Sequence, residues 1–321
     1  MDAIQIKNIT KKFDKNLAVN GINLNIRKGE IFGLLGPNGA GKTTTLLMLS
    51  TLLVPTSGNA IVNGFDVQQY PSKVRASIGM VFQDPSSDEL LTAYENLKLH
   101  ALMYDVPTKL IDQKIDKVLS LVGLLKRKND QVKKYSGGMR RRMEIARGLL
   151  HEPEILFLDE PTIGLDPQTR THIWEYITNL ARKMNMTIIL TTHYMEEAEK
   201  LCDRIAIIDY GKIVALDTPN NLKMRIKGDI VTVSGKSLKA ESVKKLRFVK
   251  KISLSGYQMR ISVENASKNL QRLLAALGNV DSVEIHSPDL NDVFLHYTGH
   301  DIREEAGSKL DHLRTMNISK K

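Results

Sequence analysis

Eight consecutive residues, Gly36-Pro37-Asn38-Gly39-Ala40-Gly41-Lys42-Thr43, have the form G-x-x-x-x-G-K-[ST]. Glycines let a backbone curl until successive N–H groups face one anion. A helix starting at the end of the run adds unpaired N–H groups and the positive end of its dipole. The spacing therefore describes a phosphate-binding loop. Lys42 would reach the β- and γ-phosphates of a nucleoside triphosphate such as ATP, and the Thr43 hydroxyl would hold Mg²⁺. Other residues could complete that chemistry. Asp159 and Glu160 close a wholly apolar run, with Asp159 placed to hold Mg²⁺ through water and Glu160 to face an attacking water. His193 ends a β-branched run, where a neutral imidazole could donate to a γ-phosphate. Gln83 ends another run and offers both a carbonyl oxygen and an amide, to Mg²⁺ or to the water. Phe13 lies ahead of the loop, where it either stacks on an adenine ring or packs into a turn. Ser136-Gly137-Gly138 opens a helix, which makes it either a second anion site or a plain N-cap.

These residues need rigid elements in a particular order. Residues 30–35 read as a buried strand before the loop, and 44–49 as a helix after it. Residues 155–158 are apolar throughout, as strands buried on both faces are, and 187–192, rich in β-branched residues, read as another buried strand. Acids at the carboxyl ends of such strands sit where open α/β sheets bind ligands. Residues 3–9 and 19–27 alternate like half-buried strands, and 204–209 with 212–216 form a hairpin across Tyr210-Gly211. From about 85 to 147 the pattern becomes helical; Ile111, Ile115, Val118, Leu119 and Val122 share one face. Beyond residue 229 the order strand, helix, strand, strand, helix, strand is that of the ferredoxin-like split βαβ.

Composition bounds the possibilities. At 321 residues with 42% hydrophobic content, the chain is long enough for two domains with real cores. Mean hydropathy is −0.22, and no apolar run approaches the about 20 residues of a membrane helix. The first residues enter a strand pattern directly, with no basic and apolar leader. Cys202 is the single cysteine, which excludes an intrachain disulfide, points to a cytosolic protein and suits an inert core thiol. With 46 Lys and Arg against 36 Asp and Glu, the net charge of +10 suits an anionic partner: nucleotide, nucleic acid or membrane surface. The runs Lys126-Arg127-Lys128 and Arg140-Arg141-Arg142 read as solvated faces.

Taken together, Phe13, the loop, Gln83, Ser136-Gly137-Gly138, Asp159-Glu160, Asp166 and His193 resemble, in order and spacing, the ATP-binding cassette (ABC) ATPases. Residues 91–97, 138–147 and 288–299 narrow the resemblance to the daunorubicin-resistance type, the ATP-binding subunits of drug and small-solute exporters. Phe13 stands where a tyrosine is commoner, keeping the stacking face, and Met143 where leucine is usual. The resemblance implies an α/β fold: a P-loop ATPase with a mixed sheet core and an inserted helical subdomain, plus a small α+β ferredoxin-like domain. It implies an ATPase domain over 1–220 with the helical subdomain at about 85–147, a linker over 221–228, an accessory domain over 229–299 and a polar tail over 300–321.

The resemblance also assigns roles. Phe13, residues 36–44 including Thr44, Ser136, Gly137, Gly138 and Asp166 would contact nucleotide. Thr43, Gln83 and Asp159 would hold Mg²⁺, and Glu160, His193 and Gln83 would serve hydrolysis. Two copies would close head to tail over ATP and drive a separate polytopic membrane permease from the cytoplasmic face of the cell membrane, peripherally and without a span of their own. A soluble ABC ATPase acting on nucleic acid or ribosomes is the alternative. The lone Tyr257 on a ferredoxin-like sheet and the single cassette in the chain weigh against it.

Overall fold

A long hairpin starts the chain: β1 (Asp2–Phe13) pairs antiparallel with β2 (Asn16–Arg27). Pairing runs out to Phe13 opposite Asn16, so the strands expected over 3–9 and 19–27 extend until only Asp14 and Lys15 separate them. Register shifts near Ile6, Ile9 and Lys11 break the alternation there, which hides the strand from a period-two pattern. The elements continue as β3 (Ile31–Leu35), α1 (Lys42–Leu49), β4 (Ser57–Val62), β5 (Phe65–Asp66), α2 (Pro71–Ser77) and β6 (Ile78–Val81). Three helices follow, α3 (Ala93–Met103), α4 (Thr108–Leu121) and α5 (Gly137–Leu149). Then come β7 (Ile155–Asp159), α6 (Pro167–Met184), β8 (Thr187–Thr192), α7 (Met195–Leu201), β9 (Arg204–Asp209) and β10 (Lys212–Asp217).

This computed structural model describes residues 1–226, 228–235 and 238–299, and the chain divides into two compact units between Thr218 and Pro219. The first unit holds two sheets. One is antiparallel, ordered β2-β1-β4-β5; the other is six-stranded and mixed, ordered β10-β9-β3-β8-β7-β6. Five strands of the second run parallel, and β10 closes its edge antiparallel. Their shared core includes Ile4, Ile6, Ile26 and Leu24 of the hairpin, Leu46 and Met48 of α1, and Phe32, Phe157 and Ile189 of the mixed sheet. In the helical segment, α4 buries Ile111, Ile115, Val118 and Leu119, the face its spacing indicated. A reciprocal Thr92–Glu95 capping box starts α3. Cys202 is buried, and burial raises its thiol pKa well above the ordinary value, so it packs rather than reacts.

The second unit opens where a linker was expected over 221–228. Pro219 at the first helical turn starts α8 (Pro219–Met224), whose Leu222 is buried, so much of that stretch is ordered helix. After it come β11 (Asp229–Ser234), α9 (Ala240–Lys244), β12 (Val249–Ser255), β13 (Gln258–Val263), α10 (Ala266–Leu277), β14 (Ser282–His286) and α11 (Leu290–Thr298). Strand order β12-β13-β11-β14, all antiparallel, is the split βαβ arrangement. Val231, Val233, Met259, Ile261 and Val263 face α9 and α10, which bury Val243, Leu273 and Leu277 against them. The tail over 300–321 lies outside the described residues.

Two cores imply two cooperative units. Leu273→Ala, at a fully buried position of the second core, should destabilise that unit by about 2–5 kcal/mol. In a calorimetric scan of the whole chain, only one of two transitions should move. A shift of the entire profile would contradict independent cores.

Candidate nucleotide site

Strand order gathers the residues that could do chemistry. Parallel β3, β8 and β7 are neighbours in the middle of the mixed sheet, with Leu35 opposite Thr192 and Asp159 opposite Thr191. The phosphate loop, the two acids and His193 therefore emerge side by side at the carboxyl ends. The loop curls tightly: Ala40 N–H donates to Pro37 O at 3.2 Å, and Gly36 N–H to Thr192 O at 3.2 Å. At Gly41, φ is +102° and a Cβ would lie 2.4 Å from Ala18 O, so no other residue fits there. The hairpin between β9 and β10 braces the loop, with Gly211 N–H donating to Ala40 O at 3.0 Å. Asn38 and Gly39 are exposed at the loop's crest.

Lys42 is buried at the centre. Its ammonium donates to Gly36 O at 2.8 Å and Pro37 O at 3.0 Å, and lies 3.3 Å from Glu160 Oε1. Glu160 Oε2 takes a hydrogen bond from His193 Nδ1 at 2.9 Å, which makes Nδ1 the protonated nitrogen. Beside this pair, the Thr43 hydroxyl donates to Asp159 Oδ1 at 2.9 Å, and the Thr191 hydroxyl donates to the same oxygen. Glu160 occupies the left-handed region at φ +47°, a strained choice for a non-glycine residue. Its N–H is held by Thr191 O at 3.2 Å and Thr191 Oγ1 at 3.0 Å. That turn sets the Glu160 side chain apart from Asp159 and toward Lys42 and His193.

The charges are mutually dependent. Burial lowers the Lys42 pKa, against the opposing pull of Glu160 and then Asp159. For Glu160, burial works against the charge, but His193 and Lys42 outweigh it and hold the carboxyl below its ordinary value. A folded-state pKa below the unfolded one contributes stability above pH 4.5 that is lost as pH falls through the lower value.

The remaining expected residues lie at the rim. Phe13 is 45% exposed at the end of β1, with the Lys11 ammonium 5.1 Å from its ring centroid. Gln83 does not end a strand: β6 stops at Val81, and Gln83 is exposed in the following bend without a hydrogen bond to Thr43 or Asp159. Ser136 caps α5, accepting from Met139 N at 3.3 Å, and Asp166 caps α6, accepting from Thr169 N at 2.9 Å. The two caps are close: a Cβ on Gly138 would meet Thr169 Cγ2 at 2.5 Å, and one on Gly137 would meet Leu165 at 3.2 Å. Ser136, Gly137 and Asp166 are all exposed. Among the described residues Ser136 makes no hydrogen bond to the loop that holds Lys42.

One functional residue was hidden in a basic run. Arg141 is buried, not solvated, and its guanidinium donates to Pro161 O at 2.7 Å, Phe82 O at 2.6 Å and Asp159 O at 2.9 Å. It ties the start of the Gln83 bend to the strand end that carries Asp159. Burial pulls its pKa down to about 10, against Glu144 and Glu197, so it stays charged at neutral pH. Glu144, one turn along α5, accepts from Ser87 N at 3.0 Å and holds the other side of the same bend. Glu197 is fully buried and takes hydrogen bonds from the Thr162 hydroxyl and the Trp174 indole. Gly138, Arg141, Ile145 and Gly148 fall at helical spacing on one face of α5, the signal that separates Arg141 from Arg140 and Arg142.

A buried lysine on a glycine loop, a threonine–aspartate pair and a glutamate–histidine pair at adjacent parallel strand ends define a P-loop nucleoside triphosphatase. The "ABC transporter" family model matches residues 19–163, and the "ATP-binding protein DrrA1-3-like, C-terminal domain" model matches 218–298. The linearmycin resistance ATP-binding protein LnrL of Bacillus subtilis is 40% identical over 311 residues, covering 94% of this chain and 100% of that one. The Nod factor export ATP-binding protein I of Cupriavidus metallidurans is 37% identical, over 94% and 99% of the two chains. A solved dimeric, post-hydrolysis ATP-binding cassette, MJ0796, bound to ADP and Pi, superposes with a TM-score of 0.60 at 29% identity, over 67% of this chain and 98% of that one. The chain belongs to the ABC transporter ATP-binding subunits of the daunorubicin-resistance type: it is the nucleotide-binding ATPase subunit of an exporter.

Replacing Arg141 by alanine would take a donor from three backbone carbonyls, those of Pro161 and Asp159 buried and that of Phe82 half-buried. A loss of about 3–5 kcal/mol is expected in urea unfolding. A loss under about 1 kcal/mol would contradict its bracing role.

Proposed function

We propose that two copies of this subunit close head to tail over ATP and drive a membrane permease that exports a drug or small hydrophobic solute. The observation that carries the dimer is that Ser136 and Gly137 are exposed and remote, in hydrogen bonding, from the buried Lys42–Glu160 pair. One chain thus has two anion-binding features for one triphosphate, and sharing between chains uses both. The loop over 36–43 with Thr44 holds the phosphates, Lys42 neutralises the β- and γ-oxygens, and Phe13 offers its exposed face to the adenine. Ser136, Gly137 and Gly138 of the other copy cap the γ-phosphate, with Asp166 at the same seam.

Hard oxygen donors meet at Thr43 and Asp159, which fits Mg²⁺; these residues, with Gln83, would hold it. There the ion would screen the triphosphate's charge. Glu160 orients the attacking water and accepts its proton, and His193 fixes Glu160 and faces the γ-phosphate. Helix α5 links the two events. Its N-terminus meets the partner's nucleotide, while Arg141 and Glu144 on the same helix grip the Gln83 bend. Movement of that bend then reaches the segment that faces the permease.

Leu90 is 67% exposed there, while Leu91 is half-buried and its carbonyl accepts from Val132 N. The exposed apolar contact is therefore assigned to Leu90; Leu99 and Met103 of α3 are exposed as well. No helix among the described residues is long and apolar enough to cross a membrane. The subunit would act peripherally, at the cytoplasmic face of the cell membrane. A role on nucleic acid is disfavoured because four of the six residues in the basic runs are ion-paired or buried. Lys128 pairs with Asp116, Arg127 with Asp130 and Arg140 with Glu89, while Arg141 is internal.

Glu160→Gln should keep ATP binding and lower turnover by about 10²–10⁴, the range of a general base, with an ATP-bound dimer accumulating on gel filtration. Phosphate release at the wild-type rate would refute the role. Lys42→Ala should weaken ATP binding itself, read by nucleotide titration; unchanged affinity would contradict the loop assignment. Leu90→Glu should leave the isolated subunit's ATPase within about twofold, as surface changes usually do. It should reduce co-purification with the permease, and full capture and export would move the coupling surface elsewhere.

A further inference from the structure

The second unit carries a cavity that the ATPase cycle does not use. Helices α9 and α10 cover one face of its sheet; the opposite face is partly covered by α11, with the end of α8 alongside. Between that face and α11 lies a half-open cavity of about 390 Å³. Alternation along β12 and β13 points Lys251, Ser253, Arg260 and Ser262 into it, and Arg225 reaches its rim from beyond α8. Ile230 and Leu295 supply apolar wall.

The cavity contains an unmet demand. Asp292 of α11 is 4% exposed. Its Oδ2 is satisfied, accepting from His286 Nε2 at 3.1 Å and from Asp289 N at 3.0 Å. Its Oδ1 has no hydrogen-bond partner; the nearest cation, Arg260 Nη1, stands 3.8 Å away, beyond hydrogen-bond reach. A buried carboxylate oxygen without a donor costs free energy, which a ligand hydroxyl would recover. The cations present the opposite demand. Lys250 is paired with Glu264 at 2.7 Å, whereas Lys251, which donates to His296 O at 3.5 Å, and Arg260 face the cavity beside Asp292, the lining carboxylate. Positive charge outnumbers negative along the lining, which suits a phosphate ester, a group that carries up to about two negative charges at neutral pH. Arginine guanidinium also fits phosphate bidentately. A bare phosphate would fill only a fraction of the space and leave the apolar wall unused.

We propose that this cavity binds a hydroxylated phosphate ester of the glycerol-phosphate type, as a free metabolite or as the headgroup of phosphatidylglycerol. Its phosphate lies against Lys251 and Arg260, its hydroxyl donates to Asp292 Oδ1, and its carbon chain lies on Ile230 and Leu295.

The test uses the full-length protein with its nucleotide site saturated by Mg·ADP, so that the phosphate loop does not report. By calorimetry, glycerol 3-phosphate should bind saturably and at least about tenfold tighter than propyl phosphate, which lacks the hydroxyls. Lys251→Gln and Arg260→Gln should each weaken that binding by about tenfold or more, with ATPase activity unchanged. In parallel, flotation with phosphatidylglycerol vesicles, against phosphatidylcholine, identifies the source. Flotation lost in Arg260→Gln assigns the lipid headgroup, and soluble binding without flotation assigns the metabolite. Equal affinity for propyl phosphate, binding indifferent to both substitutions, or no binding in either arm would overturn the proposal.

Discussion

Two opposite charges, Lys42 and Glu160, sit 3.3 Å apart with 5% and 4% of their side chains exposed. Removing either charge from water costs several kcal/mol, and mutual attraction offsets that only when the remaining donors and acceptors are also met. The fold meets them. Two loop carbonyls take the other protons of Lys42, and His193 takes the second oxygen of Glu160. Those partners are available only because β3 and β7 flank β8, which brings three separate stretches of chain to one edge. The strained backbone at Glu160 is held by the same neighbour, Thr191, that holds Asp159. Sheet order, loop curl and side-chain charge are thus one arrangement, and a change in any of them leaves a buried group unpaired.

Helix α5 extends that arrangement outward. Its first turn is exposed and capped by Ser136, while Arg141 and Glu144 in its second and third turns are buried among backbone groups. In the proposed dimer, a rigid helix with one end at a partner's nucleotide and its middle fastened to the Gln83 bend would transmit a displacement without needing a flexible relay. The same helix explains why a cationic run can be structural: neighbouring arginines on a helix point about 100° apart, so Arg141 faces the core while Arg140 pairs with Glu89 at the surface.

Much of this was legible from the chain. The phosphate loop, the acid pair and His193 are contiguous signals whose roles follow from residue type and from the apolar strands before them. The split βαβ order of the second unit was legible because its strands alternate cleanly. What escaped depends on phase or on distant partners. Gln83 looked like a strand end because residues 78–82 are apolar, but Arg141 captures Phe82 O and turns the chain away. The hairpin's outer half was masked by register shifts that spoil alternation. Residues 221–224 of α8 were read as linker because only Pro219 and Leu222 of that helix are buried, too few for a periodic pattern. Arg141 required choosing a helical phase, and the three arginines look identical without it.

The central claim is that each nucleotide site is completed by a second chain. Mixing two inactive variants tests it most directly: Lys42→Ala, which lacks the loop charge, and Ser136→Glu, which places a negative charge where the γ-phosphate is capped. In a mixed dimer, one site collects both defects and the other is intact. Phosphate release should therefore rise on mixing, well above the sum of the separate variants, and peak near equal proportions. A rate equal to that sum at every ratio, with mixed dimers present, would contradict the shared site.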